Sequence, residues 1–169
     1  MNNRVSGYAS TFEPYVLCEG PGYTIYEQIS RHAFDAADMD DVVLLFDHAG
    51  DVLARTTNGT LKLNVDNSGL HVDARLDGTQ SARNRFEEIK NKYLTQMSFS
   101  FVVDTDKREV ISEEGDHVTI LRTITGFKKI MDVSVVTWPA NPKTNIGVRS
   151  LSAAEKEDLK KRIRILSQM

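Results

Sequence analysis

The stretch Met97-Ser98-Phe99-Ser100-Phe101 decides how the rest of this sequence is interpreted. Successive side chains of a strand point to opposite faces, so Met97, Phe99 and Phe101 share one face while Ser98 and Ser100 share the other. The first face is a wall of the core, and the second presents hydroxyl groups. The pattern predicts a strand that is apolar on one side and carries two candidate nucleophiles on the other.

A strand serine becomes reactive only beside a base and a carboxylate that orients the base. Two other segments offer these groups. The apolar run at residues 42–46 is followed by His48, and Asp132 opens the β-branched run at residues 132–136. We hypothesise that the three strands meet in one sheet or barrel and bring Ser98, His48 and Asp132 together. Each residue taken alone is more often structural than catalytic.

Length and composition limit the kind of protein that could hold such a site. The chain has 169 residues, enough for one domain with one core. Its 21 basic and 24 acidic residues nearly balance, which disfavours nucleic acid as a partner. Cys18 stands alone, so no internal disulfide or multi-cysteine zinc site is predicted, and an inert thiol is favoured. With no secretory signal and no long apolar run, we expect an intracellular protein without a membrane contact.

Most of the chain has the short, β-rich runs of a sheet protein. Asn58-Gly59 has the residue types of a tight hairpin turn, and residues 113–116 predict another hairpin. Apolar residues change to helical spacing over residues 81–96, which predicts one amphipathic helix before the serine strand. We expect a loop around Cys18 and another at residues 138–142. The predicted strands are 5–12, 23–29, 42–46, 52–57, 60–65, 70–76, 97–103, 104–110, 117–125 and 132–136.

A capping box at residues 152–155 begins a second amphipathic helix near the end of the chain. We therefore divide the chain into a β-barrel domain at residues 1–150 and a C-terminal amphipathic helix at residues 151–169. The helix is expected to pack on its own barrel or to form a dimer contact.

Several short motifs occur in an order that resembles the tailed-phage prohead (head maturation) serine protease family, from about Gly7 to Asn145. The resemblance implies a serine endopeptidase without a cofactor, on a closed or partly open antiparallel β-barrel similar to the herpesvirus assemblin proteases. It also implies action inside the viral procapsid, in the host cytoplasm, on scaffold or capsid precursor proteins and on itself, with homodimers or higher homo-oligomers. The motifs are Gly7-Tyr8-Ala9, Glu27, His32-Ala33-Phe34, His48, Gly69-Leu70, Met97-Ser98-Phe99-Ser100-Phe101, Asp132-Val133-Ser134-Val135-Val136-Thr137 and Pro139-Ala140-Asn141-Pro142.

The resemblance assigns roles to three residues and also shows departures. Ser98 and His48 match the family's serine and histidine, and Asp132 stands where the family usually has glutamate. Glycine is usual at the positions of Ser100 and His32. The shorter Asp132 leaves a direct contact to the imidazole open, and Ser100 is an alternative nucleophile on the same strand face.

Other interpretations of the same residues remain. The backbone amides of Ala140 and Asn141 are candidate oxyanion donors in a proline-bounded loop. Phe99 and Phe101 could stack on single-stranded nucleic acid, although core packing is favoured. The acidic residues between 104 and 116 lack the spacing of a calcium loop, so no metal site is predicted. The alternative function is a catalytically inactive assembly or scaffold-binding β-barrel protein.

Overall fold

The chain folds mainly into strands, as expected. The computed structural model describes residues 2–149, of which about 59% are strand and 9% helix. The predicted helix at residues 151–169 lies outside the described residues. No helix in the described part has the length and apolar character needed to cross a membrane. The elements are β1 (Arg4–Thr11), β2 (Tyr15–Gly20), β3 (Tyr23–Ile29), β4 (Val43–Phe46), β5 (Ala49–Arg55), β6 (Leu61–Val65), β7 (Gly69–Arg75), α1 (Gln80–Lys90), β8 (Gln96–Glu114), β9 (His117–Val136) and β10 (Asn145–Val148).

The strands form two sheets. The smaller sheet has the order β10-β1-β7-β6, and the larger has the order β2-β3-β9-β4-β5, with β8 also paired to β9. Neither sheet closes into a barrel among the described residues, so the barrel part of the prediction is not confirmed. β3 and β4 run parallel to β9, which makes the larger sheet mixed where an antiparallel one was expected. These two parallel pairings join segments that are far apart in the sequence, so no turn motif in the sequence indicates them.

A long antiparallel hairpin of β8 and β9 is the centre of the larger sheet. The predicted turn at residues 113–116 is confirmed, with Gly115 at a φ of +59°. The four strands predicted at 97–103, 104–110, 117–125 and 132–136 are instead parts of these two long strands. Bulges let β8 and β9 bend, including one that leaves Met131 without an opposite residue. The base of this hairpin carries the serine and aspartate motifs.

The apolar face of the serine strand is in the core, as predicted. Met97 is fully buried, and Phe99 and Phe101 pack against the main core cluster. The rings of Phe99 and Phe101 are 4.6 Å apart, and each also contacts Phe127. This packing fixes the rotation of β8, so Ser98 and Ser100 lie on the face away from these rings.

Some local predictions were wrong. Asn58-Gly59 is a turn with Gly59 at a φ of +75°, but it does not join a hairpin. β5 pairs with β4 and β6 pairs with β7, so this turn carries the chain from one sheet to the other. The helix α1 ends at Lys90 and not at residue 96, and Lys92 has a positive φ of 62°. Cys18 lies exposed on strand β2, where a loop was expected. A continuous apolar run such as residues 42–46 predicts a strand that is buried on both faces, but one of its faces is only half-buried.

Candidate active site

His48 lies in a two-residue turn that joins β4 to β5. Phe46 pairs with Ala49, and the two residues between them have positive φ values, 47° at Asp47 and 59° at His48. Such values at both central positions are those of a type I′ hairpin turn, and aspartate and histidine tolerate them better than most residues. The turn therefore delivers the imidazole at a fixed point at the edge of the sheet.

Asp47 anchors this turn to the end of β9. Its backbone N–H donates to the carbonyl of Val135 at 2.9 Å. Its carboxylate accepts the backbone N–H of Thr137 at 2.9 Å and the Thr137 hydroxyl at 3.1 Å. Sequence reasoning passed over Asp47, although a carboxylate directly before the candidate histidine was a signal that could have found it.

Asp132 lies on β9 and contacts the imidazole directly. Its Oδ1 atom is 2.7 Å from Nδ1 of His48, and its side chain is 10% exposed against 36% for the imidazole. Since an ionised carboxylate only accepts hydrogen bonds, the shared proton belongs to Nδ1, which leaves Nε2 as the acceptor of the ring. The shorter side chain of aspartate thus reaches the histidine because β4 is the parallel neighbour of β9 at this point.

Ser134 connects the two residues, and sequence reasoning missed it. Its buried hydroxyl donates to Oδ1 of Asp132 at 2.7 Å and accepts the backbone N–H of His48 at 3.2 Å. Ser134 is two positions after Asp132 on the same strand, so period two places both side chains on one face. That alternation was available in the sequence and could have identified it.

Ser98 lies directly opposite Ser134 in the β8–β9 register. Side chains of directly opposite residues share a face, with Cβ atoms about 4.5–5.5 Å apart. Ser98 is half-buried, and its hydroxyl forms no hydrogen bond with any described residue. It is therefore one strand away from the residue that binds the backbone of His48.

Ser100 occupies a different position relative to the carboxylate. It lies directly opposite Asp132, and its hydroxyl donates to Oδ2 of that residue. The Asp132 carboxylate thus accepts hydrogen bonds from three side chains, those of His48, Ser134 and Ser100. With both oxygens engaged, the carboxylate has one defined orientation.

The loop after β9 lies beside Ser98. Thr144 holds it there, because its hydroxyl accepts the backbone N–H of Met97 at 3.2 Å and donates to the Met97 carbonyl at 2.6 Å. Asn141 is buried, and its side-chain amide donates to Thr11 at 3.0 Å. The backbone N–H groups of Ala140 and Asn141 form no hydrogen bond within the described residues, and both residues line a cavity together with Ser98.

The other described histidines lie away from this site. His32 pairs with Asp35 at the surface, His117 contacts Thr24, and the ring of His71 packs against Tyr8. Within residues 2–149, no cluster of three or more histidine, cysteine, aspartate or glutamate side chains could hold a metal ion.

A hydroxyl, an imidazole and a carboxylate on neighbouring strands, with free amides beside the hydroxyl, are the chemical groups of a serine hydrolase. Residues 1–159 match the family model described as Caudovirus prohead serine protease. The match covers most of the chain, which therefore belongs to that family of phage serine proteases, as the sequence resemblance indicated.

No curated protein matches the chain. Among solved structures, the chain is similar to the KSHV protease in complex with a hexapeptide phosphonate inhibitor, with 11% sequence identity and a TM-score of 0.47. The alignment covers 95% of this chain and 75% of that one.

Proposed function

We propose that the chain is a serine endopeptidase in which Ser98 is the nucleophile, His48 the general base and Asp132 the residue that orients the histidine. The observation that carries the proposal is the 2.7 Å hydrogen bond between His48 and Asp132, one strand away from Ser98. Family membership supports the setting, a phage prohead. Its substrates in this proposal are scaffold or capsid precursor proteins and the protease itself.

The three residues divide the chemistry between them. A serine hydroxyl is a weak nucleophile at neutral pH, so Nε2 of His48 takes its proton as Oγ of Ser98 attacks the scissile carbonyl. The resulting imidazolium is stabilised by the carboxylate of Asp132, which does not itself take the proton. His48 then returns the proton to the leaving amine, and water hydrolyses the acyl-enzyme by the same route.

The oxyanion of each tetrahedral intermediate needs fixed N–H donors beside the serine. The backbone amides of Ala140 and Asn141 are our candidates, because they donate no hydrogen bond to residues 2–149 and share a cavity wall with Ser98. Loss of one such donor typically costs about 2.7–4 kcal/mol of transition-state stabilisation. The two hydrogen bonds of Thr144 to the Met97 backbone hold this loop in place, and oxyanion donors must be held in this way.

The position of Ser100 supports Ser98 as the nucleophile. The Ser100 hydroxyl donates to the carboxylate of Asp132, whereas the Ser98 hydroxyl has no hydrogen-bond partner among the described residues. A nucleophile must transfer its proton to the imidazole. The Ser100 hydroxyl instead donates its proton to Oδ2 of Asp132, the carboxylate oxygen that does not contact His48, so it is badly oriented for this transfer. In this proposal Ser100 is a positioning residue.

A peptide phosphonate that reacts only with activated serine hydroxyls tests the proposal. We expect a single adduct on the peptide that contains Ser98, and no adduct in Ser98→Ala. Ser112→Ala is the matched control, because Ser112 lies on the same strand, is half-buried like Ser98 and is next to the hairpin turn at the other end of the strand. In this variant the adduct on Ser98 is expected to form at the wild-type rate. An adduct on Ser100 would overturn the assignment of the nucleophile.

The same phosphonate experiment also distinguishes the proposed protease from the alternative, a catalytically inactive protein. A folded wild-type chain that forms no adduct, and leaves its own chain and a capsid precursor intact, would be an inactive assembly or scaffold-binding protein. Mass spectrometry of the wild type and Ser98→Ala, each expressed with the precursor, measures both cleavages at once.

A further inference from the structure

A cavity of about 140 Å³ opens beside Ser98. Its walls come from β1, β2, β3 and β8 and from the loop after β9. Most of the wall is apolar and is formed by Ala9, Leu17, Phe99, Phe101 and Ala140. A site with this lining favours an apolar group.

Glu27 is the one carboxylate that the described part of the chain contributes to the cavity wall, and both of its oxygens already accept hydrogen bonds. Glu27 is 2% exposed, its Oε1 accepts the hydroxyl of Tyr15, and its Oε2 accepts Nη1 of Arg122 at 2.9 Å. Burial raises the pKa of the Tyr15 hydroxyl, and its hydrogen bond to Glu27 raises that pKa further, so Tyr15 stays a neutral donor. A positively charged group entering the cavity would therefore meet a carboxylate whose charge is compensated.

The position of the cavity indicates that it lies on the acyl side of the scissile bond, away from the leaving amine. His48 returns the proton to the leaving amine, and it reaches the site from the β4–β5 hairpin, across β9 from β8. No residue of that hairpin lines the cavity, whereas Ala140 and Asn141 do. Their amides would hold the oxygen of the scissile carbonyl, which belongs to the acyl part of the substrate.

From these observations, and resting on the proposed function, we propose that this cavity binds the side chain of the substrate residue before the scissile bond (P1) and selects an uncharged, apolar one. A cavity of about 150 Å³ with apolar walls holds a molecule of benzene. A leucine side chain fits that space. Leu17 and the Tyr15–Glu27–Arg122 group are then specificity-determining residues of the protease.

Peptide phosphonates that differ only at P1 test the selection directly. With analogues of alanine, leucine, lysine and glutamate, the rate of adduct formation on Ser98 is measured by mass spectrometry. We expect the leucine analogue to react about tenfold or more faster than the alanine analogue, the usual effect of filling an apolar pocket. The lysine and glutamate analogues are expected to be slower than leucine by at least the same factor. A lysine or glutamate analogue that reacts as fast as leucine would overturn the inference.

Two variants on one strand locate the effect in the cavity. Leu17→Trp fills the cavity, so the leucine analogue should lose its rate advantage over the alanine analogue. Val16→Trp is the matched control, because Val16 is the exposed neighbour of Leu17 and does not line the cavity. Equal effects of the two substitutions would contradict the proposal. If Leu17→Trp does not fold, as judged by circular dichroism, the P1 series on the wild-type protein still decides.

The outcomes also distinguish this inference from the proposed function. Absence of any adduct on Ser98 with all four analogues removes the nucleophile, and the cavity assignment with it. Adducts that form on Ser98 at equal rates leave the nucleophile in place and overturn the cavity assignment alone.

Discussion

Nδ1 of His48 lies 2.7 Å from Oδ1 of Asp132, although 84 positions separate the two residues in the chain. Asp132→Asn keeps the shape of the side chain but can present its N–H₂ group to Nδ1, which favours the wrong tautomer of the imidazole. We expect kcat on a peptide substrate to fall by about 10⁴-fold, as in serine proteases of another fold, with a smaller change in KM. A fall of less than tenfold, in a variant with a wild-type unfolding midpoint, would contradict the role of Asp132.

Ser134 holds both members of this pair, so its removal should loosen their geometry. Ser134→Ala removes a donor to Asp132 and leaves the backbone N–H of His48 without its acceptor. We expect kcat to fall by about 10²-fold, the cost of a misplacement of about 1 Å, while KM changes little. Ser6→Ala, on the other sheet, is the control and should leave both constants unchanged. A variant with wild-type kcat would show that Ser134 has no positioning role.

Ser100 is expected to behave differently from Ser98. Ser100→Ala removes one of the three hydrogen bonds to Asp132 but keeps the proposed nucleophile, so we expect a partial loss of kcat, about tenfold, with the phosphonate adduct still on Ser98. Measured kcat for Ser98→Ala and Ser100→Ala side by side separates the two roles. Complete loss of activity and of the adduct in Ser100→Ala would indicate that Ser100, and not Ser98, is the nucleophile.

The hydrogen bond between Tyr8 and Asp66 should make the free energy of unfolding depend on pH. The Tyr8 hydroxyl donates to Asp66 at 2.7 Å, and this bond, with the backbone N–H of Ser68, holds the pKa of Asp66 below its ordinary value. A carboxyl with a lowered folded-state pKa stabilises the fold above its unfolded value of about 3.9 and loses that contribution as the pH falls through the folded-state value. We expect Tyr8→Phe to be less stable than the wild type at neutral pH, by about 1 kcal/mol.

Urea unfolding at several pH values measures this effect. The difference in the free energy of unfolding between wild type and Tyr8→Phe should shrink as the pH is lowered below about 4. Tyr93→Phe is the control, since Tyr93 is 84% exposed and should show no such difference. A difference between wild type and Tyr8→Phe that is constant with pH would mean that Asp66 is not the partner responsible.

The two faces of the serine strand could be predicted from sequence because period two is a local signal. Met97, Phe99 and Phe101 alternate with Ser98 and Ser100, and the packing of the three apolar side chains follows directly. The hairpin at residues 113–116 was found for the same reason, since turn residues stand between two β-rich runs. Such short-range patterns also indicated a mainly β fold.

Pairing between distant strands could not be predicted. Asn58-Gly59 has the residues of a hairpin turn and does form a turn, yet β5 and β6 belong to different sheets because each finds its partner elsewhere. The contact between His48 and Asp132 depends on the parallel pairing of β4 with β9, which leaves no local signature. The Thr144 anchor was missed because its hydroxyl binds the backbone of Met97, 47 positions away.

The turn that carries His48 has no spare residue. Both of its central positions are occupied, by Asp47 and by His48 itself, and each has the positive φ that this shortest kind of hairpin requires. Surface loops usually tolerate insertions, but one added residue here would rotate or shift the imidazole away from β9. The length of this connection is thus as tightly constrained as the identity of the residues that it presents.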